Sequence, residues 1–345
     1  MTLKQTGVLF LVFYLFVANI SIAQRANTDT SCQKNNCTCS QDHSPAGLMV
    51  TALHHKHEWM ISYRSMFMLS QGLNYTNHNE DINPYVAKPV EMQMQMHMWM
   101  MMYGLNKNLS IMAMGQYQNN YMKMTMSMGQ TVHQHAMSSV GLGDTKILVI
   151  YGIIKNPTLE FSVNTGLQVP TGKTNVKAPF GSMMYSTQRM SYSMQTGSGT
   201  LDVMGGANLI YQMENSVMGV QINGLMHPYK NIIGYQLGNE LNNQIWISKQ
   251  WTTFLRNSIR FETVYNGKIK GIDTSLNMYG EPGANANNYG GLRINTYIGV
   301  NIQGIHHFLS KCKLSCEYGI PLLQRLNGLQ LSNKHIFNFN LSTNF

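Results

Sequence analysis

The chain has 345 residues, 43% of them hydrophobic and only 11% charged, with 30 glycines and 18 tyrosines, a balance that suits one large all-β domain or two ordinary ones. No stretch after the first two dozen residues is apolar for long enough to cross a bilayer as a helix. The formal charge of +9 is spread along the chain and not gathered into runs, which argues against nucleic acid as a partner.

Met1 to Gln24 carries Lys4, an apolar run from Val8 to Val17 and the small-x-small site Ser21-Ile22-Ala23. This reads as a signal peptide over 1–23, too short in its apolar run to be an anchor, and it sends the mature chain out of the cytoplasm. The next span, 24–56, is a Cys/His-rich segment or plug. Cys32, Cys37 and Cys39 in CQKNNCTC precede His54, His55 and His57. In an oxidising compartment three such cysteines give one disulfide and an odd thiol, or else a thiolate-imidazole metal site, and their spacing matches no standard zinc pattern.

From residue 57 to 345 the hydrophobic period is two. His57–Leu69 puts Trp59, Ile61, Tyr63, Phe67 and Leu69 on one face and Glu58, Ser62 and Arg64 on the other. Similar alternation recurs through Glu91–Gly104, Leu109–Gln118, Thr145–Ile153, Leu159–Val169, Leu201–Gln212 and on to His335–Phe345, giving about twelve strands long enough to cross a bilayer when tilted. Links between them alternate in length. Asn106–Asn108, Lys155–Thr158, Glu214–Ser216 and Thr252–Phe254 are short, whereas Ser70–Val90, Asn119–Gly141, Pro170–Gly199 and Gly267–Gly290 are long. Short turns on one rim and long loops on the other predict an all-β fold, a single antiparallel transmembrane barrel of the outer-membrane type, in contact with the lipid of a Gram-negative outer membrane. The last strand, HIFNFNLSTNF, ends in an exposed-looking aromatic ladder with Phe345 terminal, and resembles the strand by which such barrels are recognised by their assembly machinery.

The stretch Glu91–Gly104, EMQMQMHMWMMMYG, poses a choice of faces. If Gln93, Gln95 and His97 face a polar lumen, Met92, Met94, Met96, Met98 and Met100 face lipid, because side chains alternate on a strand. That is the expectation here, although Met60, Met66, Met68, Met112 and Met114 fall on polar faces and could line the lumen beside His97. Beyond the third strand Met122, Met124, Met126 and Met128 precede His133, His135 and Met137, with Met183, Met184, Met190 and Met194 in the next long loop. Lipid does not explain methionines outside the bilayer. They form either a compact Met-packed loop or a soft-metal site for Cu(I) or Ag(I), which several converging thioethers would hold. Cys312 and Cys316 share a face with Phe308, Leu314 and Tyr318, which points them into lipid.

Arg64, His97, Lys146, Glu160, Arg256, Arg260, Glu262 and Arg293 are the expected lumen-lining residues, joined by Lys311, Lys313 and Glu317. Such charges either brace wall against wall or select anionic solutes. No catalytic motif appears: Pro170-Thr-Gly-Lys-Thr174 ends like a phosphate loop but has Leu167 where glycine is required, and HExxH and GxSxG are absent. The chain is read as a non-enzyme, with no catalytic residues and no certain cofactor.

Ser44–Met68, the Met-rich strand after it, Gly141-Leu-Gly-Asp144, Leu167-Gln-Val-Pro-Thr-Gly172 and Gly197-Ser-Gly-Thr-Leu-Asp202 occur in that order. This ordered set resembles the outer-membrane barrel family named after the MetA pathway of phenol degradation, over most of the mature chain. The resemblance implies a transporter or channel for small molecules, aromatic or hydrophobic ones among them. The alternatives are a copper- or silver-handling envelope protein using the Met/His/Cys tracts, and a lipid-active outer-membrane enzyme.

Overall fold

The computed structural model describes residues 44–50, 53–74, 85–128, 131–179, 187–304 and 311–345, without the side chains of residues 127, 128, 179 and 187. The strands are β1 (Trp59–Asn74), β2 (Ala87–Asn106), β3 (Leu109–Met128), β4 (Thr131–Leu142), β5 (Thr145–Lys155), β6 (Leu159–Val169), β7 (Lys177–Pro179), β8 (Thr187–Arg189), β9 (Asp202–Gln212), β10 (Ser216–Met226), β11 (Tyr235–Gln236), β12 (Glu240–Gln250), β13 (Leu255–Asn266), β14 (Lys270–Gly271), β15 (Gly291–Gln303), β16 (Cys312–Leu326) and β17 (Gln330–Asn344). Thirteen of them form one antiparallel sheet that closes on itself through β17 and β1. At the seam Trp59 N donates to Phe345 O at 2.8 Å and Phe345 N donates back to Trp59 O at 2.9 Å, so no sheet edge is left there.

The lower half of β3 pairs with β5 and its upper half with β4. β4 and β5 therefore make one stave broken at Gly143-Asp144, and thirteen strands give the twelve staves expected from the alternation. Among the described residues no helix is long and apolar enough to cross a membrane; strands make the wall. Along each stave one face is apolar and exposed, as with Ile147, Val149 and Tyr151 on β5, while Leu148 and Ile150 between them are buried inside. The short links lie at one rim and the long ones at the other. β7 pairs with β8 within one long loop, and β11 pairs with β14 across two successive loops, before β12 and after β13.

Two expectations need correction. The stretch from Asn119 to Gly141 is not a loop: β3 and β4 continue as a paired hairpin beyond the barrel wall, with Met122 opposite Met137 and Met124 opposite His135. The even-numbered methionines of Glu91–Gly104 face inward, not outward. Met98, Met100 and Met102 are buried, at 9%, 3% and 0% exposure, while Trp99 and Met101 are 52% and 48% exposed on the outside. His97 goes with the outer set: it shares a face with Trp99, and its Nδ1 meets the Tyr63 hydroxyl at 2.7 Å. It is thus not lumen-lining.

The physical reason lies in length. β2 has 20 residues, roughly 66 Å at about 3.3 Å per residue, against an apolar band of about 25 Å. Its outer face is lipid-like only at Trp99, Met101 and Tyr103. Higher up it becomes polar, where Glu91 accepts from Gln71 at 2.7 Å and Gln93 at 2.8 Å and pairs with Lys123 at 3.5 Å. Polar residues there mark water outside the barrel and say nothing of the lumen.

Candidate functional site

The lumen is divided along its axis. Its lower half is occupied by residues 44–50, 53 and 54, in which Ala46, Leu48, Val50, Leu53 and His54 are buried. This segment has no helix or strand of its own, so its backbone groups need partners from the wall. Lys313 Nζ donates to Ser44 O at 2.6 Å, Gln221 Nε2 to Val50 O at 2.6 Å and Arg64 Nη2 to Leu48 O, while Leu53 N donates to Glu160 Oε1 at 3.0 Å. Gly47 is pressed against the Arg260 guanidinium, where a Cβ has no room. Val50 and Leu53 pack into a cluster of inward methionines from β1, β2 and β3 with Leu148 and Ile150.

Across the barrel the wall is ionic. The Arg260 guanidinium, 1% exposed, donates to both carboxylate oxygens of Glu317 at 3.1 and 2.8 Å and to Gln244 at 3.0 Å, and lies 3.8 Å over the Tyr297 ring. Glu262 accepts from the Tyr297 hydroxyl at 2.6 Å, Asn242 at 3.0 Å and Asn295 at 3.1 Å. Every charge here has partners, which a buried charge requires. Of the residues expected to line the lumen, Arg64, Lys146, Glu160, Arg256, Arg260, Glu262 and Arg293 all alternate onto the inner face.

The upper half holds a cavity of about 480 Å³, within the range of small-molecule sites. Met68, Met92, Met94 and Met122 line it, with Ser70, Gln116 and Gln118 on the same strands, and Gln168, His227 and Arg293 line it from other staves. Its roof is a tyrosine cluster, with Tyr192 edge-on to Tyr235 at 4.8 Å and to Tyr289 at 5.5 Å. Burial pushes the Tyr235 hydroxyl up to about 12 and raises Tyr289 further. The same roof contains Glu281, whose carboxyl burial pushes up to about 7, the Ser191 hydroxyl offsetting this only in part. Burial would also raise Asp273, but hydrogen bonds from Arg189 and Ser275 outweigh it and hold that carboxyl low; Arg189 lies 2.6 Å away.

The three short motifs at 141–144, 167–172 and 197–202 converge at one side of this chamber. Asp144 accepts from Gly172 N at 3.0 Å and Ser198 N at 2.8 Å; Gln168 Nε2 donates to Asp144 at 3.3 Å and to Asp202 at 3.1 Å. Asp202 also takes the Thr200 hydroxyl at 2.5 Å and faces His227 Nδ1 at 2.9 Å. Gly172 and Gly197 touch backbone to backbone, at a distance no side chain would permit. The knot ties residues 170–174 and 195–200 together at the mouth. Glycines and lone acids at strand ends were visible in the sequence; that they meet was not, because nothing local encodes the pairing.

The expected metal residues are scattered. Cys32, Cys37 and Cys39 lie outside the described residues, as do Met183 and Met184. His54 points into the core near Glu58, at 3.5 Å, while His55 and His57 are exposed, His57 meeting the Tyr103 hydroxyl at 2.8 Å. Met122, Met124 and Met126 are brought together with Met137, Met190 and Met194 in one buried cluster. His135 lies on the same face of the hairpin, whereas His133 is exposed and the Met128 side chain is not described. Cys312 and Cys316 alternate onto the outer face of β16, opposite the buried Lys313, Ser315 and Glu317.

No protein-family model matches the chain, and no curated protein matches it in sequence. Among solved structures it is similar to an outer-membrane channel from Pseudomonas putida F1, at 12% identity and a TM-score of 0.56, covering 85% of this chain and 97% of that one. A FadL homologue of Pseudomonas aeruginosa (8% identity, TM-score 0.42, 84% and 90% covered) and the KdgM porin (9%, 0.40, 83% and 99%) are more distant in shape. With the closed stave order, the apolar exterior and the sorted rims, the fold is that of an outer-membrane channel barrel. The chain resides in the outer membrane of a Gram-negative bacterium.

Proposed function

We propose that the barrel takes up small, largely apolar molecules, aromatic ones included, through the upper chamber, and that it is a conduit and not an enzyme. The observation that carries this reading is the chamber of about 480 Å³, walled by both thioethers and polar groups under a tyrosine roof. Methionine side chains are flexible and polarizable, so such a wall accommodates apolar solutes of varied shape. The polar groups supply the few directional partners that a site of this kind uses for orientation. The resemblance to the phenol-degradation barrel family agrees with an aromatic solute. On this reading residues 44–50, 53 and 54 fill the exit half of the lumen and must shift for a solute to pass.

The test is uptake of labelled toluene by cells with an intact lipopolysaccharide layer. Leu225 lines the chamber and is half-buried. Leu225→Trp should lower uptake several-fold while the purified barrel keeps its heat-dependent shift on gels. Undiminished uptake in a folded Leu225→Trp barrel would remove the chamber from the path.

A further inference from the structure

Seven methionines from separate stretches of chain meet above the barrel wall: Met92 of β2, Met122, Met124 and Met126 of β3, Met137 of β4, and Met190 and Met194 of the next loop. Ala87 is the one other buried member. The choice of side chain is particular to this place. The roof cluster next to it is built from Tyr192, Tyr235 and Ile269 with Leu237 and Leu276 at its margin, and the outer face of β4 carries Val132, Val140 and Leu142. Aliphatic and aromatic side chains are thus used nearby, and Val176, Ala178 and Leu331 pack at the cluster's own margin, while its buried members are, Ala87 apart, all methionine.

The register makes part of the cluster a compact block of donors. Met122 is opposite Met137 and Met124 is opposite His135 on adjacent strands, all four on one face of the hairpin. Directly opposed residues have Cβ atoms about 5 Å apart, and next-but-one neighbours on a strand roughly 7 Å. Flexible thioethers and an imidazole can therefore converge on one point. His135 Nε2 is buried without a hydrogen-bond partner among the described residues. A buried ring nitrogen left unpaired is unfavourable, and a bound cation would satisfy it.

Charge and access complete the argument. Glu91 and Lys123 pair with each other on the opposite, outer face of the strands. Among the described residues no three His, Cys, Asp or Glu side chains could hold a metal ion together, so the assembled donor set is the thioether one. Neutral sulfur donors with one imidazole suit a soft monovalent cation and not a hard divalent one. Met137 and Met190 line a cavity of about 130 Å³ beside the hairpin, and Met92 and Met122 line the main chamber. The cluster thus stands between a side cavity and the lumen.

We propose that Met122, Met124, Met137 and His135 form a binding site for Cu(I) or Ag(I) at the outer mouth of the barrel. This site does not depend on the chamber's solute. The experiment uses the full chain in detergent with all five cysteines replaced by serine, so that thiols do not compete, and measures Ag(I) retained after equilibrium dialysis in chloride-free buffer. The expected result is one Ag(I) per barrel, bound at least about tenfold more weakly after Met122→Leu, Met124→Leu and Met137→Leu together, and also after His135→Leu. Met98→Leu, Met100→Leu and Met102→Leu in the lower lumen should change nothing. Leucine keeps the packing, so loss of fold does not mimic loss of ligand. No Ag(I) retained by the cysteine-free barrel, or equal weakening in the lower-lumen set, would overturn the proposal.

Discussion

β2 and β13 face the same lumen and fill it in opposite ways. The inward face of β2 between Met92 and Met102 is thioether at every position, whereas that of β13 presents Ser258, Arg260 and Glu262. The segment between them explains both. Its side chains Val50 and Leu53 lie against the methionine side. Its carbonyls at Ser44, Leu48 and Val50 take hydrogen bonds from Lys313, Arg64 and Gln221. A chain with no helix or strand of its own needs apolar cover and polar donors at once, and a lumen that presents both thioethers and charged or amide side chains provides each. A barrel interior is polar where water or backbone must be met, and apolar where side chains fill it.

The comparison breaks hardest at Arg260. Arg260→Met leaves Glu317 and Glu262 buried beside each other without their cation, which should cost about 3–5 kcal/mol. Urea titration of the folded barrel in detergent, followed by gel mobility, would measure this; a midpoint within error of the parent would mean the polar side is not held by this network. The methionine side should respond to volume and not to charge. Met102→Ala should cost about 2–5 kcal/mol by opening a cavity, and Met102→Leu less than about 1.5 kcal/mol. If leucine proved as harmful as alanine in the same titration, the thioether itself and not its bulk would be the requirement.

The stave count, the sorting of loops by rim and the inward direction of the seven wall charges were legible in the sequence, because period-two alternation and turn chemistry are local. The face of β2 was not. Reading it required knowing where along 20 residues the lipid ends and that residues 44–50, 53 and 54 occupy the lumen, and both are tertiary facts. His97 shows the failure at one residue: it reads as polar and therefore inward, yet it sits at the transition where the outer face passes from Trp99 to Gln95. The Met122–His135 hairpin was legible as lying beyond the bilayer but not as paired strand, since Lys123, Thr125 and Ser127 gave the alternation no apolar outer face to be recognised by. The knot of Asp144, Gln168 and Asp202 was present as motifs without any sign that they touch.

That transition on β2 makes a sharper test of faces than the interior does. Met101→Arg puts a charge into the lipid band and should cost about 2–4 kcal/mol, whereas Gln93→Arg lies above it and should cost about 0–1 kcal/mol. Both residues share the outer face, so the difference reads depth alone. Equal cost, measured by the same unfolding titration, would mean that the polar outer face of upper β2 is inside the bilayer after all and that the boundary is misplaced.

The smallest expected effect is at the roof, where the tyrosines close over the chamber. Glu281 ordinarily titrates near 4.5, and burial in the closed roof pushes it up to about 7. The closed form therefore favours the protonated carboxyl. Below about pH 4.5 both closed and opened forms carry the proton and the roof is at its full stability; as pH rises toward about 7 the opened form ionises first, and closure is progressively weakened up to that point and no further. Amide exchange in residues 282–289, corrected for its intrinsic pH dependence, should accordingly be faster at pH 8 than at pH 5, through transient opening of this loop. Glu281→Gln removes the titrating proton while keeping the shape, and should make protection independent of pH across that window. A pH dependence that survived in Glu281→Gln would assign the effect to another group. A flat profile in the parent would mean that Glu281 reaches water with the roof closed, and that the chamber's ceiling is looser than its packing of Tyr192, Tyr235 and Tyr289 implies.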